Sequence, residues 1–210
     1  MRAPPGPVTV FLVDDDPAVL RAVGRLLRSA GLNVTTFHSP QEFLDRQNPE
    51  APGCLVLDVT MPGLNGLELQ QALIRAGNHL PIIFLTGNGD IPMTVRAMKS
   101  GAVDFFRKPC PDEELLAAIG RALAHDQLFR QRRAEEQALA DLLATLTPRE
   151  HEVMLGVVAG KLNKQIAAEL GTVEKTIKVH RGRVMEKLHV ASVAELVRLS
   201  ERGGAFARGG

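Results

Sequence analysis

CLVLDVTMPGLNG, residues 54–66, runs four apolar or small residues into an aspartate and then breaks with Met-Pro-Gly. A short apolar run closed by a breaker reads as a strand buried on both faces, the kind found in parallel sheets. Asp58 then stands at the strand's carboxyl end, the edge at which open α/β sheets gather their loops around a crevice. Taken alone, such an aspartate does no more than end a strand or cap the next helix.

The flanking sequence repeats the same sentence. Val8 to Val13 is a strand that runs into Asp14, Asp15 and Asp16; Pro17 opens a helix whose stripe is Val19, Leu20, Val23, Leu26 and Leu27, and Gly31 stops it. Leu32 to Phe37 is a second strand, and Ser39 caps a short helix with Phe43 and Leu44 inward. After the Asp58 strand, Gly66 to Ala76 is helical through Leu67, Leu69, Leu73 and Ile74. Pro81 to Leu85 is a strand closed by Thr86, Ile91 to Lys99 a helix, Val103 to Phe106 a strand ending at Arg107, Lys108 and Pro109, and a helix begins near Asp112. Five strand–helix units in strict alternation imply right-handed crossovers and a parallel sheet covered on both faces.

That topology places Asp14, Asp15, Asp58, Thr86 and Lys108 at one edge of the sheet. Clustered carboxylates with backbone carbonyls and water form the oxygen-rich ligand set of Mg²⁺, and acids held together are costly without a cation. With Asp58 as nucleophile toward a phosphoryl group, the Thr86 hydroxyl and the Lys108 ammonium receive the charge that the metal does not. Read separately, the same residues are an acidic strand end, a capping threonine and a surface lysine.

The 210 residues suit one large or two small domains, and the net charge of +1 hides an asymmetry. Residues 1–124 hold 11 Lys/Arg against 13 Asp/Glu, whereas residues 147–210 hold 11 against 7. A polyanion partner is therefore expected for the carboxyl-terminal part only. No signal-like amino terminus and no run of eighteen apolar residues occurs, so a cytoplasmic protein without a membrane partner is expected. Cys54 and Cys110 lack metal-ligand spacing and read as bystanders. The absence of Trp and Tyr argues against recognition of single strands by stacking.

Asp112 to Leu146 has no strong breaker and reads as a long linking helix, either continuous or interrupted in RQRRAEEQ, with Leu115, Leu116, Ile119 and Leu123 facing the first domain and Leu139, Leu142, Leu143 and Leu146 forming a second stripe. Its middle is too charged for a coiled coil and reads as a solvated spacer. Thr147, Pro148 and Glu150 form a capping box, Val153, Met154, Val157 and Val158 the helix face behind it, and Gly160 the stop. Asn163 is read as the cap of IAAEL, Gly171 as a turn, Val173 to Leu188 as a longer helix and Ser192 as the cap of the last. The pair around Gly171 has helix-turn-helix form. On a helical wheel Val173, Ile177, Val184 and Leu188 share the buried face, while Lys175, Lys178, Val179, Gly182 and Arg183 point outward, as a major-groove reader requires. A plain αα-hairpin with a solvated basic face has the same pattern.

VDDD, LDVTMPGLNG, LTGNGD and FFRKP match, in order and spacing, the receiver domain of two-component response regulators, which Val8 to about Leu123 resembles. TPREHEV, NKQIAAEL and KTIKVHRGRVMEKL resemble the LuxR-type output domain over residues 142–207, and the order of the parts resembles the FixJ/NarL class. The resemblance implies an α/β, flavodoxin-like receiver with a five-stranded parallel sheet (8–123), a helical linker (124–141) and a small all-α helix-turn-helix domain (142–207). It implies Asp58 as phosphoacceptor, Asp15, Asp58 and the Thr60 carbonyl as Mg²⁺ ligands with Asp14 acting through water, Thr86 as switch hydroxyl, Phe105 as switch aromatic and Lys108 as the phosphate-pairing lysine. Phosphorylation turns Thr86 inward and vacates space for the Phe105 ring, and the surface near Met93, Met98 and Lys99 then forms a dimer; a core role for Phe105 and both methionines fits the sequence equally. Lys178 and Val179 face bases, Lys164, Thr176 and Lys187 touch the DNA backbone, and Ala194 to Leu199 help dimerise. Three departures stand out: Cys110 after the Lys-Pro pair, Thr172-Val173 in place of an Ile-Ser pair, so that Thr172 caps one residue early, and Gly182 inside a helix, which costs about 1 kcal/mol relative to Ala.

The function so implied is a phosphorylation-dependent, DNA-binding transcription activator, with a sensor histidine kinase, promoter DNA, RNA polymerase and a second copy of the chain as partners. Its chemistry is on itself, so an enzyme is not expected. The alternatives are a receiver-controlled protein-interaction module and an aspartyl-phosphate phosphatase; the latter wants a second acid where Thr60 stands.

Overall fold

The computed structural model describes residues 6–46, 48–87 and 91–202; positions 88–90 of the LTGNGD motif and 203–207 of the expected output domain lie outside them. The chain forms two compact units, Met1–Arg130 and Gln131–Gly210.

In the first unit, β1 (Thr9–Val13), β2 (Asn33–Phe37), β3 (Gly53–Leu57), β4 (Ile82–Thr86) and β5 (Asp104–Arg107) form one sheet in the order β2-β1-β3-β4-β5, parallel throughout. Between them run α1 (Pro17–Ser29), α2 (Pro40–Arg46), α3 (Gly66–Arg75) and α4 (Ile91–Lys99), and α5 (Asp112–Leu143) follows β5. Alternate strand residues face opposite layers. Phe11, Val13, Leu55, Leu57 and Phe84 meet Phe43 of α2, Leu69 and Leu73 of α3 and Ala97 of α4. Val10, Leu12, Cys54, Val56, Ile83 and Leu85 meet Leu20 and Leu27 of α1 and Leu115 and Ile119 of α5. The five-stranded α/β expectation holds, with strand bounds shifted by a residue.

Leu44, expected inward, is outside, and so is Ile74 among the apolar residues of α3: Pro40 and Phe43 already fill the buried face of the short α2, and the inward face of α3 is Gly66, Leu69, Gln70 and Leu73. Nor is α5 broken within RQRRAEEQ; it is one helix, with i,i+4 bonds from Gln131 to Glu135 and from Gln137 to Asp141.

The first unit's packing reaches Arg130. Asp126, buried on α5, accepts from the Gly53 N–H (2.9 Å) and from Arg130 Nε (2.7 Å), and Arg130 also donates to the carbonyls of Glu50 and Ala51, both at 2.8 Å. Gly53 has φ +153°, and a Cβ there would run into the Thr9 carbonyl oxygen.

The second unit packs α6 (Pro148–Val158), α7 (Asn163–Glu169), α8 (Glu174–Lys187) and α9 (Val193–Arg202) around Val153, Met154, Ile166, Ile177, Val184, Leu188 and Leu196, with Leu142, Leu143 and Leu146 against them. Thr147 and Glu150 form the expected capping box. Asn163, by contrast, is the first helical residue of α7; Leu162 is its N-cap, and its N–H donates to Gln165. Thr172 does not cap α8 either. Its N–H closes the end of α7 on the Ala167 carbonyl, behind Gly171 at φ +61°, and Val173 is the N-cap. Because Val173 precedes the helix, the wheel does not apply to it, and it is 64% exposed rather than buried.

Gly53→Ala is expected to cost the first unit about 3 kcal/mol from backbone strain and overlap; thermal denaturation checks this against Gly31→Ala, which shares a positive φ (+81°) but whose Cβ meets nothing within 4 Å, so that the smaller loss there isolates the overlap.

Candidate functional site

The carboxyl edge of the sheet assembles four of the predicted side chains directly. The β1–β3 register sets Val13 beside Leu57, and the Asp58 N–H donates to the Val13 carbonyl (2.9 Å), so Asp14 and Asp58 leave adjacent strands side by side. The β4–β5 register pairs Thr86 with Arg107, and the Lys108 N–H donates to the Thr86 carbonyl (2.8 Å). Asp14, Asp58 and Thr86 are buried, and Asp15 is exposed at the rim.

Lys108 joins the acids. Its Nζ donates to Asp14 Oδ2 and lies 3.6 Å from Asp58 Oδ1. Asp14 also accepts from the Asp16 N–H (2.9 Å), which holds the loop after β1. Ligand oxygens of Asp14, Asp15 and Asp58 all lie within 4.8 Å of one another. Asp58 Oδ1 is buried without a hydrogen-bond donor. Burial pushes the Asp58 carboxyl above its ordinary value; the Lys108 ammonium opposes this, the Asp14 charge adds to it, and the Thr86 hydroxyl and Val59 N–H favour the ionised form.

Thr60 lies exposed in the loop after β3. Phe105 is half-buried against Phe84, with ring centroids 5.9 Å apart. Met93 packs on the same core, whereas Met98 is exposed, so the core reading fails for Met98. Sequence reasoning missed Gly66, where a Cβ would overlap the Asp58 carbonyl oxygen; the glycine closing LDVTMPGLNG was the available signal. Cys54 stays a bystander, its thiol pushed up to about 12 by burial and then by Asp126.

In the second unit the structure sorts the basic residues. Lys164, Lys175, Lys178 and Arg183 are exposed and form no ion pair among the described residues; Val179 and Gly182 are exposed beside them on α8, and Thr176 is half-buried. Lys161 instead grips Glu169, and Arg181 donates to Asn163 Oδ1 at 3.3 Å. Arg149 donates to the Leu170 carbonyl at the turn. Lys187, of the expected DNA-facing set, is half-buried and already bonded: its Nζ donates to Glu150 Oε2 (2.6 Å) and the Thr145 carbonyl (2.9 Å), as the buried capping carboxylate needs a cation.

Residues 10–120 match the response regulator receiver domain, and residues 144–200 the luxR family of bacterial regulatory proteins. The chain belongs to the two-component response regulators. Nodulation protein W of Bradyrhizobium diazoefficiens is 50% identical over 94% of this chain and 87% of its own length; transcriptional regulatory protein FixJ of the same species is 43% identical over 93% and 95%. A low-resolution structure of the response regulator StyR, 48% identical, covers 94% of this chain and all of its own, with a TM-score of 0.89. This response regulator is thus a receiver joined to a LuxR-type DNA-binding domain, a transcription regulator controlled through its receiver, and no helix among its described residues is long and apolar enough to cross a membrane.

Two pH dependences follow from these environments. A carboxylate with a raised folded pKa favours folding most below its ordinary 3.8, and that contribution is lost as the pH rises through the raised value. Asp58→Asn is therefore expected to melt several degrees higher than the parent at neutral pH, with the gap closing as the pH falls toward 4; calorimetry across that range checks it. Glu150 has the opposite sign. The Lys187 ammonium, followed by the Thr147 N–H, holds it down to about 2 against an ordinary 4.5, so its contribution is present above 4.5 and fades as the pH falls toward 2. In calorimetry of the full chain, the second unit's transition is expected to drop through this window, and Glu150→Gln to start lower and respond less.

Proposed function

We propose that Asp58 is the phosphoacceptor through which a sensor histidine kinase controls DNA binding by α8. The observation that carries this is the buried, donor-free Asp58 oxygen facing Lys108 beside two further acids. A carboxylate oxygen of Asp58 attacks the donor's phosphorus, the bond from phosphorus to its leaving group breaks, and the leaving group takes up a proton. Lys108 and the Thr86 hydroxyl meet the added charge. Asp14, Asp15, Asp58 and the Thr60 carbonyl form a hard-oxygen donor set that suits Mg²⁺, which would supply neutralisation of the transferring phosphoryl oxygens. The buried Thr86 hydroxyl, already at Asp58, closes on the added phosphoryl group and draws in Phe105, and the surface of α4 and β5 then pairs with a second copy.

On DNA, Lys178 and Val179 reach base edges, Lys175 and Arg183 flank them, Lys164 and Thr176 hold the backbone, and Gly182 leaves room for close approach. Lys164, Lys175, Lys178 and Arg183 form no ion pair among the described residues, which supports this set; Lys187 reaches the backbone only by sharing its charge with Glu150. The chain acts as an activator that contacts RNA polymerase, and its phosphoryl chemistry serves no separate substrate.

Incubation with Mg²⁺ and acetyl phosphate is expected to add one phosphoryl group to the parent by intact mass and none to Asp58→Asn, and to tighten binding to duplex promoter DNA in the parent alone. Equal gain in both proteins removes Asp58 from this role. Lys178→Ala is expected to weaken DNA binding about tenfold or more.

A further inference from the structure

One polar ring on α8 has no partner inside the molecule. His180 is half-buried, and its Nδ1 is closed off from solvent without a hydrogen-bond partner. The ring forms no hydrogen bond or ion pair among the described residues. In a neutral imidazole one nitrogen donates and the other accepts. A hydrogen on Nδ1 would be a buried donor without an acceptor, the costlier kind of orphan, so Nδ1 carries the lone pair and Nε2 the hydrogen. Nε2 is not among the buried unpartnered atoms, and the N–H therefore stays at the edge of the ring that meets solvent. An apolar side chain of similar bulk would pack here without an orphaned nitrogen, so the use of a polar ring lies at its outer edge.

The helix fixes where that edge sits. At 3.6 residues per turn, His180 falls about 20° round α8 from Lys187 and about 40° from Thr176, with Val184 about 40° to its other side. Val184 is buried and Thr176 half-buried, so His180 stands on the border between the core and the outward face. Lys175, Lys178, Val179 and Gly182 occupy the middle of that face and are exposed. The opposite border is Arg181, which is taken up by Asn163. When a recognition helix lies in the major groove, its middle meets base edges and its borders meet the sugar–phosphate walls.

We propose that His180 is a contact to the DNA backbone, donating its Nε2–H to a phosphate oxygen beside Thr176 and Lys187. This rests on the DNA-facing reading of α8 given above. The contact fixes the register of α8 in the groove and carries no base preference.

The test uses the full chain treated with acetyl phosphate and Mg²⁺ and two duplexes of unrelated mixed sequence, at pH 8. His180→Gln keeps an N–H near the Nε2 position, His180→Asn keeps one only near Nδ1, and His180→Leu keeps none. The Gln variant is expected to bind within about twofold of the parent, and the Asn and Leu variants about fivefold more weakly, by the same factor on both duplexes. The second unit of His180→Leu is expected to melt no lower than the parent's. The comparison of Gln with Asn, two amides that differ in reach, carries the test without relying on the apolar variant. Parental affinity in His180→Asn or His180→Leu, a Gln variant as weak as the Asn variant, or a loss confined to one duplex overturns the backbone contact. A lower melting temperature of the second unit in all three variants overturns it in favour of a packing role. A parent that binds neither duplex, or a Lys178→Ala variant that binds both as the parent does, overturns the reading of α8 itself.

Discussion

The receiver depends on the electrostatic tension at one edge of its sheet, where three acids share a crevice with one lysine. Asp14 and Asp58 are buried there, and like charges in a low-dielectric setting repel strongly. Lys108 relieves this by bonding Asp14 and standing near Asp58. The relief is partial, since Asp58 keeps a buried oxygen without a donor and a carboxyl that burial makes reluctant to ionise. A site in that condition is ready for a cation or a phosphoryl group to change its charge balance, and the parallel sheet makes it rigid. The backbone bonds from Asp58 to Val13 and from Lys108 to Thr86 fix the positions from which these side chains start.

The second unit meets a similar problem differently. Glu150 is buried because the capping box turns it back toward the start of α6, and Lys187 comes from the far end of α8 to neutralise it. One bond set therefore caps one helix and fixes the end of another. With Arg149 on the Leu170 carbonyl and Arg181 on Asn163, these ties set the pose of α8 and leave Lys175, Lys178 and Arg183 exposed, without ion pairs among the described residues. Positive charge in this unit has two uses, and the partners on the inside separate them.

The alternation of short apolar runs with helical stripes determined the parallel sheet, because a period of two against one of 3.6 leaves few ways to bury both. The placing of Asp14, Asp58, Thr86 and Lys108 at one edge followed from it, since parallel strands all end on the same side. The capping box at Thr147 and the turn at Gly171 were legible too, being local. Other features were set only by tertiary packing. Lys187 looks like any exposed lysine on a helical wheel until the buried Glu150 is seen beneath it, and Val173 falls on the buried face of a helix it merely precedes. The reach of the first unit to Arg130 depends on Asp126 meeting Gly53, 73 residues earlier in the chain. Sequence pattern records the direction in which a side chain leaves its own element, whereas the partner it meets there is supplied by a distant part of the chain.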